Sequence, residues 1–299
     1  MKFLRRNEEA KRSINSNTFL LFITIGLFAA MYIAGMIIFE DKGFAKPQMF
    51  LNLFISNAGL LVIAVGQTIV MITGGIDISV GSVTALVCMA VANQMEHHGM
   101  NAYMAVLLAL FIGVAYGVVQ GFLISYLEIQ PFIVSLAGLF FGRGLTSMIS
   151  TEMISIKNKT FLAWANYKIY LPIGSYSRRG KFLPAYIYPT VIIALLIVII
   201  VAVIMKYTKF GREVYAVGGN AQSAMMMGLN VRKTKFKAYL LNGLLAGCGG
   251  FLFCLNSCSG FVEQAKGLEM DAISAYLVQP HILYVIIIFF PFIFENEAG

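Results

Sequence analysis

Charge is what this chain has least of. Asp, Glu, Lys and Arg make up 12% of its 299 residues, against roughly 25% in a soluble globular domain. So much apolar surface cannot be hidden in one soluble core of this size, which makes the solvent a bilayer. Histidine is scarce too, and two of the three, His97 and His98, are adjacent in a short loop after Glu96. Neighbours point apart on most backbones, so no metal is expected there. The four cysteines, Cys88, Cys248, Cys254 and Cys258, lie in or beside apolar runs. They lack the CxxC spacing of a metal knuckle and read as small hydrophobes. No HExxH, GxSxG or phosphate-loop pattern occurs, so no zinc peptidase, serine hydrolase or Walker-type ATP site is expected. The chain reads as neither an enzyme nor a cofactor carrier. Its net charge of +8 is no nucleic-acid signal, because no basic stripe is interleaved with stacking aromatics.

What is present is a series of long uncharged runs. They lie near residues 18–39, 50–73, 78–95, 102–127, 183–205, 238–260 and 276–294, with a further run near 131–150 interrupted by Arg143. A bilayer needs about 20 apolar residues per helix, so the reading is an all-α polytopic membrane protein of about eight spans. The basic N-terminus (Lys2, Arg5, Arg6, Lys11, Arg12) precedes a run too long for a signal-peptide core, which reads as a retained first span. Two long basic loops remain, 151–182 and 206–237. One span separates them, so they face opposite sides. An even number of spans separates the N-terminus from 206–237, which puts both in the cytoplasm and 151–182 outside.

Small residues recur at helical spacing: Gly113, Gly117 and Gly121, then Gly138 with Gly142, and Gly243 with Gly247. Such rows let helix backbones approach closely in lipid, so a tight bundle is expected.

One polar segment stands out. The run TGGIDISVGSVTALVC from Thr73 to Cys88 holds Gly74, Gly75, Asp77, Ser79, Gly81, Ser82 and Thr84, and no other charge occurs from Pro47 to Met95. A central Asp costs about 3 kcal/mol on insertion scales, so it marks a functional-site candidate. Gly74 and Gly75 can end a helix, and Asp77 or Ser79 can cap a new one. A broken helix at membrane depth follows, which is how transporters build solute sites. A tight turn at one membrane face, with Asp77 a solvated cap, fits the spacing as well. Other polar groups inside apolar runs are Asn57, Gln67, Gln120, Arg143 and Asn242. They can line a path for a hydroxylated solute. They can equally bond across helices, with Arg143 snorkelling to an interface. Trp164, Tyr167, Tyr170 and Tyr176 in the outer loop suit either interfacial anchors or a docking surface. In the 206–237 loop, Ala221–Gly228 (AQSAMMMG) is too short to span and too apolar for an idle linker. It reads as a short amphipathic helix offered to a partner's groove, or as one lying on lipid.

Here the residues look familiar. Gly74-Gly75-Ile76-Asp77-Ile78-Ser79-Val80-Gly81-Ser82 resembles the GGIDLSVGS signature of membrane permeases in bacterial ABC importers for ribose, xylose, galactose and related sugars. Gly211-Arg212, Tyr215-Ala216, Gly218-Gly219-Asn220, Ala224 and Gly228-Leu229-Asn230 look like that family's cytoplasmic coupling loop. Gly267-Leu268-Glu269-Met270-Asp271-Ala272-Ile273 resembles its later GxELDAIA segment. The likeness covers roughly residues 15–275, and LAGLFFGRG (Leu136–Gly144) with Ile154-Ser155-Ile156 is most similar to permeases for galactofuranose.

The resemblance implies a permease subunit with the fold of the vitamin B12 importer, in two pseudo-symmetric halves. It implies a second permease chain, identical or different, a cytoplasmic ABC ATPase and an extracytoplasmic sugar-binding protein, all in or at the bacterial cytoplasmic membrane and its lipid. Gly211, Arg212, Ala216, Gly218, Asn220, Ala221, Ala224 and Gly228 would then serve ATPase coupling. Asn57, Gln67, Gly74, Gly75, Asp77, Ser79, Gln120 and Arg143 are the candidates for the substrate path. Asp77 is expected to shape the broken helix rather than carry protons. After Ala275 the family's glycine-rich pattern stops, and YLVQPHILYVIIIFFPFIFENEAG follows. The expected division is a permease domain over 1–275 and a divergent apolar tail over 276–299, as in a truncated or frame-shifted chain with an incomplete second half. The alternative of another class is an ion-coupled carrier working alone, with Asp77, Glu269 and Asp271 as its titrating groups.

Overall fold

In lipid each backbone N–H and C=O must be bonded within the protein, so an apolar run becomes a helix. The computed structural model describes residues 46–176 and 182–275, together with Ile23, residues 25–39 and Phe44. In chain order it contains α1 (Ile25–Ile38), α2 (Pro47–Ile72), α3 (Val80–His97), α4 (Ala102–Ser125), α5 (Pro131–Ile149), β1 (Ile154–Ser155) and α6 (Lys159–Asn166). Then come β2 (Ile169–Tyr176), β3 (Phe182–Ile187), α7 (Pro189–Tyr207), α8 (Lys209–Gly219), α9 (Ala221–Met226), α10 (Val231–Ser257) and β4 (Ser259–Gly260). Among the described residues five helices, α2, α4, α5, α7 and α10, are long and apolar enough to cross a membrane. The expected run 276–294 lies outside the described residues, as does most of 18–24.

Prolines mark where helices begin. Pro47, Pro131 and Pro189 open α2, α5 and α7, where a missing N–H costs nothing and φ is already helical. Asn158, Asn220 and Asn230 cap α6, α9 and α10 through their side-chain oxygens. The cap at Asn230 starts α10 seven residues before the uncharged run at 238, with Arg232, Lys233, Lys235 and Lys237 inside its first turns. A search for uncharged runs cannot see those turns.

α10 is the axis of the bundle and packs along α4, α2 and α3. The glycine rows make this possible. A Cβ on Gly113 would collide with the carbonyl of Gly243, and one on Gly117 would come within 2.7 Å of the Tyr239 carbonyl. Gly59 and Gly249 meet in the same way, 2.7 Å from such a Cβ to the facing carbonyl. α3, the short run, is buried along most of its length rather than lipid-facing.

The described part of 151–182, expected as a loop, is regular structure. It holds α6 and one strand of an antiparallel hairpin of β2 and β3, in which Ile169 faces Ile187 and Tyr176 faces Phe182. The all-α reading is amended accordingly. The strands escape a search for membrane-length runs because they are short and pair with each other across the chain. A second small ladder pairs β1 with β4 and ties the end of α5 to the end of α10. Since α7 runs from the hairpin to α8, the hairpin and α6 occupy one end of the bundle, and α8 and α9 the other.

Candidate functional site

α2 stops at Ile72. The Thr73 hydroxyl donates to the Val70 carbonyl at 2.7 Å, and Gly74 takes φ +80°, a conformation that favours glycine. The chain then folds back along α2 instead of leaving it: the Gly75 N–H returns to the Val70 carbonyl at 3.1 Å. Two residues on, with its amide oriented to satisfy both groups, Gln67 donates to the Asp77 carbonyl at 3.1 Å and accepts from the Asp77 N–H at 3.2 Å. Gln67 precedes the end of α2 by about 7.5 Å at 1.5 Å per residue. Asp77 therefore lies inside the bundle, not at its rim, and it is 4% exposed. Of the two readings of the sequence, the geometry is that of the broken helix.

The carboxylate is held by neutral donors. Oδ1 accepts from the Ser79 N–H at 2.9 Å and the Ser79 hydroxyl at 2.6 Å, and Oδ2 accepts from Asn242 Nδ2 at 2.7 Å. The Ser79 hydroxyl in turn accepts from Gln120 Nε2 at 2.7 Å. An Asp bonding its own backbone two residues on is a turn-former, and here it sets the start of α3. The network thus joins α2, the break, α4 and α10 through Gln67, Asp77, Ser79, Gln120 and Asn242, all buried. α5 seals one side: a Cβ on Gly138 would lie 2.6 Å from Gln120 Nε2, and the Tyr116 hydroxyl donates to the Gly138 carbonyl at 3.4 Å. Between α4 and α5 a cavity of about 760 Å³ opens beside Tyr116 and Gln120, with Leu86, Ala137 and Phe141 on its walls.

Tyr239 is the residue that sequence reasoning missed. It sits one helical turn before Asn242, and its hydroxyl lies against Gly75, where any Cβ would collide with it. It is buried without a hydrogen-bond partner among the described residues, as is Asn242 Oδ1. Its spacing from Asn242 and its place beside the Gly243 row were the available signals. Two other candidates fall elsewhere. Asn57 is exposed on α2 and donates to its own Leu53 carbonyl at 2.8 Å. Arg143, half-buried on α5, donates to the carbonyls of Val262 and Gln264 at 2.7 and 2.6 Å and so fixes the turn after β4. Glu269 packs against Gly81 in the first turn of α3, and Asp271 is exposed.

Against the same end of α2 the chain offers a second arrangement. Thr208 caps α8, accepting from the Gly211 N–H at 3.3 Å. Gly211 lies against the Met205 carbonyl at the end of α7, and Gly218 against the Ile72 carbonyl at the end of α2, each so close that a Cβ would collide. The exposed Arg212 reaches the Tyr207 carbonyl at 3.4 Å. Ala216 accepts from the Asn220 N–H at 3.2 Å, and Asn220 Oδ1 accepts from the Ser223 N–H at 2.8 Å to begin α9. Ala221 opens that helix and Ala224 is buried beneath it. Gly228, at φ +81°, ends the turn that follows. The outer face carries Met225, Met226 and Met227, which are 62%, 84% and 69% exposed. Among the described residues no group of three or more His, Cys, Asp or Glu is placed to hold a metal.

A bundle of membrane-length helices with a broken, polar-lined helix at its centre and a short helix projected from one end is the architecture of a transport permease. Comparison with known proteins says the same. Residues 49–278 match the family described as branched-chain amino acid transport system / permease component, and the chain belongs to that family. It is 36% identical over 260 residues to the inner membrane ABC transporter permease protein YjfF of Escherichia coli (strain K12), covering 86% of this chain and 74% of that one. It is 32% identical over 253 residues to the fructose import permease protein FruG of Bifidobacterium longum (strain NCC 2705), covering 84% and 72%. The ribose import permease protein RbsC of Escherichia coli (strain K12) is 31% identical over 258 residues, covering 84% and 75%. No solved structure gives a significant match. The chain is a multi-pass plasma-membrane permease subunit, not an enzyme in its own right.

Proposed function

We propose that this chain passes a monosaccharide, a pentose or hexose, into the cytoplasm as the permease of an ABC importer. The observation that carries the reading is the buried Asp77 network, set inside the bundle and joined through Ile72 to the α8–α9 end. The names of the relatives, which import fructose and ribose, support a sugar as solute. The stretches Leu136–Gly144 and Ile154–Ile156 favour galactofuranose among them. The relatives give no support to the ion-coupled alternative, and every partner of the Asp77 carboxylate is a neutral donor.

In this reading α9 docks in the groove of a cytoplasmic ATPase, the N-terminus shares that side, and α6 with the hairpin faces an extracytoplasmic sugar-binding protein. The full complement is about eight spans in a vitamin B12-importer-like arrangement, paired with a second permease chain. Gln67, Gly74, Gly75, Asp77, Ser79 and Gln120 shape the solute path, with Asn57 and Arg143 toward its periphery. Residues 1–275 form the permease domain and 276–299 a divergent tail.

The test is uptake of labelled sugars in a bacterial strain lacking its own sugar permease, supplied with this chain and its ATPase. Uptake abolished by ATP depletion but not by an uncoupler is expected. Uncoupler-sensitive uptake without an ATPase would remove the reading.

A further inference from the structure

A second cavity has no part in the proposed solute path. It is a groove of about 490 Å³ at the hairpin end, floored by Phe251 and Leu252 of α10, walled by Leu110 of α4 and Ile193 of α7, and closed by Trp164 of α6. That size is ordinary for a site taking a small ligand, roughly 300–1,000 Å³. Its lining is almost wholly apolar, so a sugar there would leave its hydroxyls unpaired. Three of its four elements are membrane-crossing helices, which puts the groove at the depth of acyl chains.

The mouth is different in kind. Tyr167 lines it, and the next residue, Lys168, holds its ammonium 4.3 Å from the centre of the Tyr186 ring. Tyr186 packs edge-on against Tyr188 at 5.6 Å, and Tyr188 is the cap residue from which Pro189 and Thr190 enter the groove wall. Aromatic side chains with a polar tip, set beside a cation, are what a membrane–water interface selects. Among the described residues no carboxylate pairs with Lys168. A basic group next in the chain to a residue lining a cleft between membrane helices matches a lipid phosphate.

We propose that this groove is a specific phospholipid site, with one acyl chain between α4, α7 and α10 and the headgroup phosphate on Lys168. The site rests on the membrane placement of these helices and not on the transported solute. An apolar floor with Lys168 and a tyrosine cluster beside it fits an anionic amphiphile better than it fits a second protein helix.

Trp164 is the single tryptophan of the chain, so its fluorescence reports this groove alone. The full chain in detergent is titrated with phosphatidylglycerol brominated on one acyl chain, and quenching should saturate near one lipid per chain. Cys248→Phe, which fills the floor, should remove the saturable component. Lys168→Ala should raise the half-saturating concentration about fivefold, the worth of one basic residue at an anionic headgroup. Quenching that rises without saturation and is equal in the variants is ordinary lipid solvation, and it overturns the proposal. Saturable quenching that neither variant alters overturns it too. So does an absence of quenching, which would put residues 276–294 of this chain or a second copy in the groove. If Cys248→Phe does not fold, the Lys168→Ala shift alone decides.

Discussion

The Asp77 break and the α9 knob are built on opposite plans. At the break, polar groups are turned inward and bonded to one another around Asp77, inside a shell of apolar helices. At α9, Met225 and Met226 on a six-residue helix, and Met227 just after it, are turned outward above one buried alanine. The first places polarity where lipid would exclude it, and does so because both oxygens of the Asp77 carboxylate have donors. The second places grease where water would reject it, which a lone chain has no reason to do. Exposed apolar side chains rimmed by polar residues mark an interface, and methionine suits one that must re-pack as its partner moves. In the function proposed above, the inward region would shape the solute path and the outward one would meet the ATPase.

Substitutions at each region separate the two plans. The largest effect is expected at Gly75→Leu. The side chain has nowhere to go against the Tyr239 hydroxyl, and overpacking of this kind costs about 1–3 kcal/mol or more. Uptake should be abolished while the ATPase still co-purifies. Normal uptake would mean that the break is not part of the path. Asn242→Asp comes next, because it sets a second carboxylate against Asp77 Oδ2. Like charges in a buried pair cannot both stay ionised. The thermal midpoint of the detergent-purified chain should fall by about 2–3 °C or more, the size expected for a loss of at least 1–2 kcal/mol in a chain of this length.

Met226→Glu should act only at the other region. It should lower ATPase co-purification about tenfold, as loss of an interface hot spot worth over 1 kcal/mol does. The thermal midpoint of the isolated chain should stay where it was. A drop in that midpoint would show the methionines to be packing against their own chain. The smallest effect is expected at Asp77→Asn. Ser79 keeps its acceptor, and a half-turn of the Asn242 amide presents its unpartnered Oδ1 to the new N–H₂. Uptake should stay within about threefold, since an exchanged neutral hydrogen bond is worth about 1 kcal/mol or less. Loss of uptake with retained stability would return the carboxylate's charge to the mechanism.

Some of this was legible in the sequence and some was not, for definite reasons. Lipid leaves few options for an uncharged run, so the spanning helices and the glycine rows that pack them follow from composition and spacing. Asp77 announced itself because it was the one charge between Pro47 and Met95. Its partners did not. Asn57 and Gln67 lie on the same helix, and nothing in their spacing says that Gln67 faces the break while Asn57 faces outward; that depends on where α10 packs. Asn242 looked like one polar residue among several until its amide was seen on the carboxylate. The hairpin of β2 and β3 was hidden because pairing between strands is a tertiary fact, and its residues lie among basic ones that read as loop. Tyr239 gave no signal beyond its spacing from Asn242.

The contact of Gly218 with the Ile72 carbonyl carries one more consequence. A side chain between two moving parts absorbs a small displacement by changing rotamer. Two bare backbones have no rotamer to change, and close-packed interiors transmit strain rather than absorb it. The joint between α8 and the last turn of α2 therefore has no slack. In the proposed importer, a shift of the projecting end would reach Thr73, the residue where the chain turns inward toward Asp77, with little lost on the way. Tolerance is given up in return: at this joint even a methyl group is too thick.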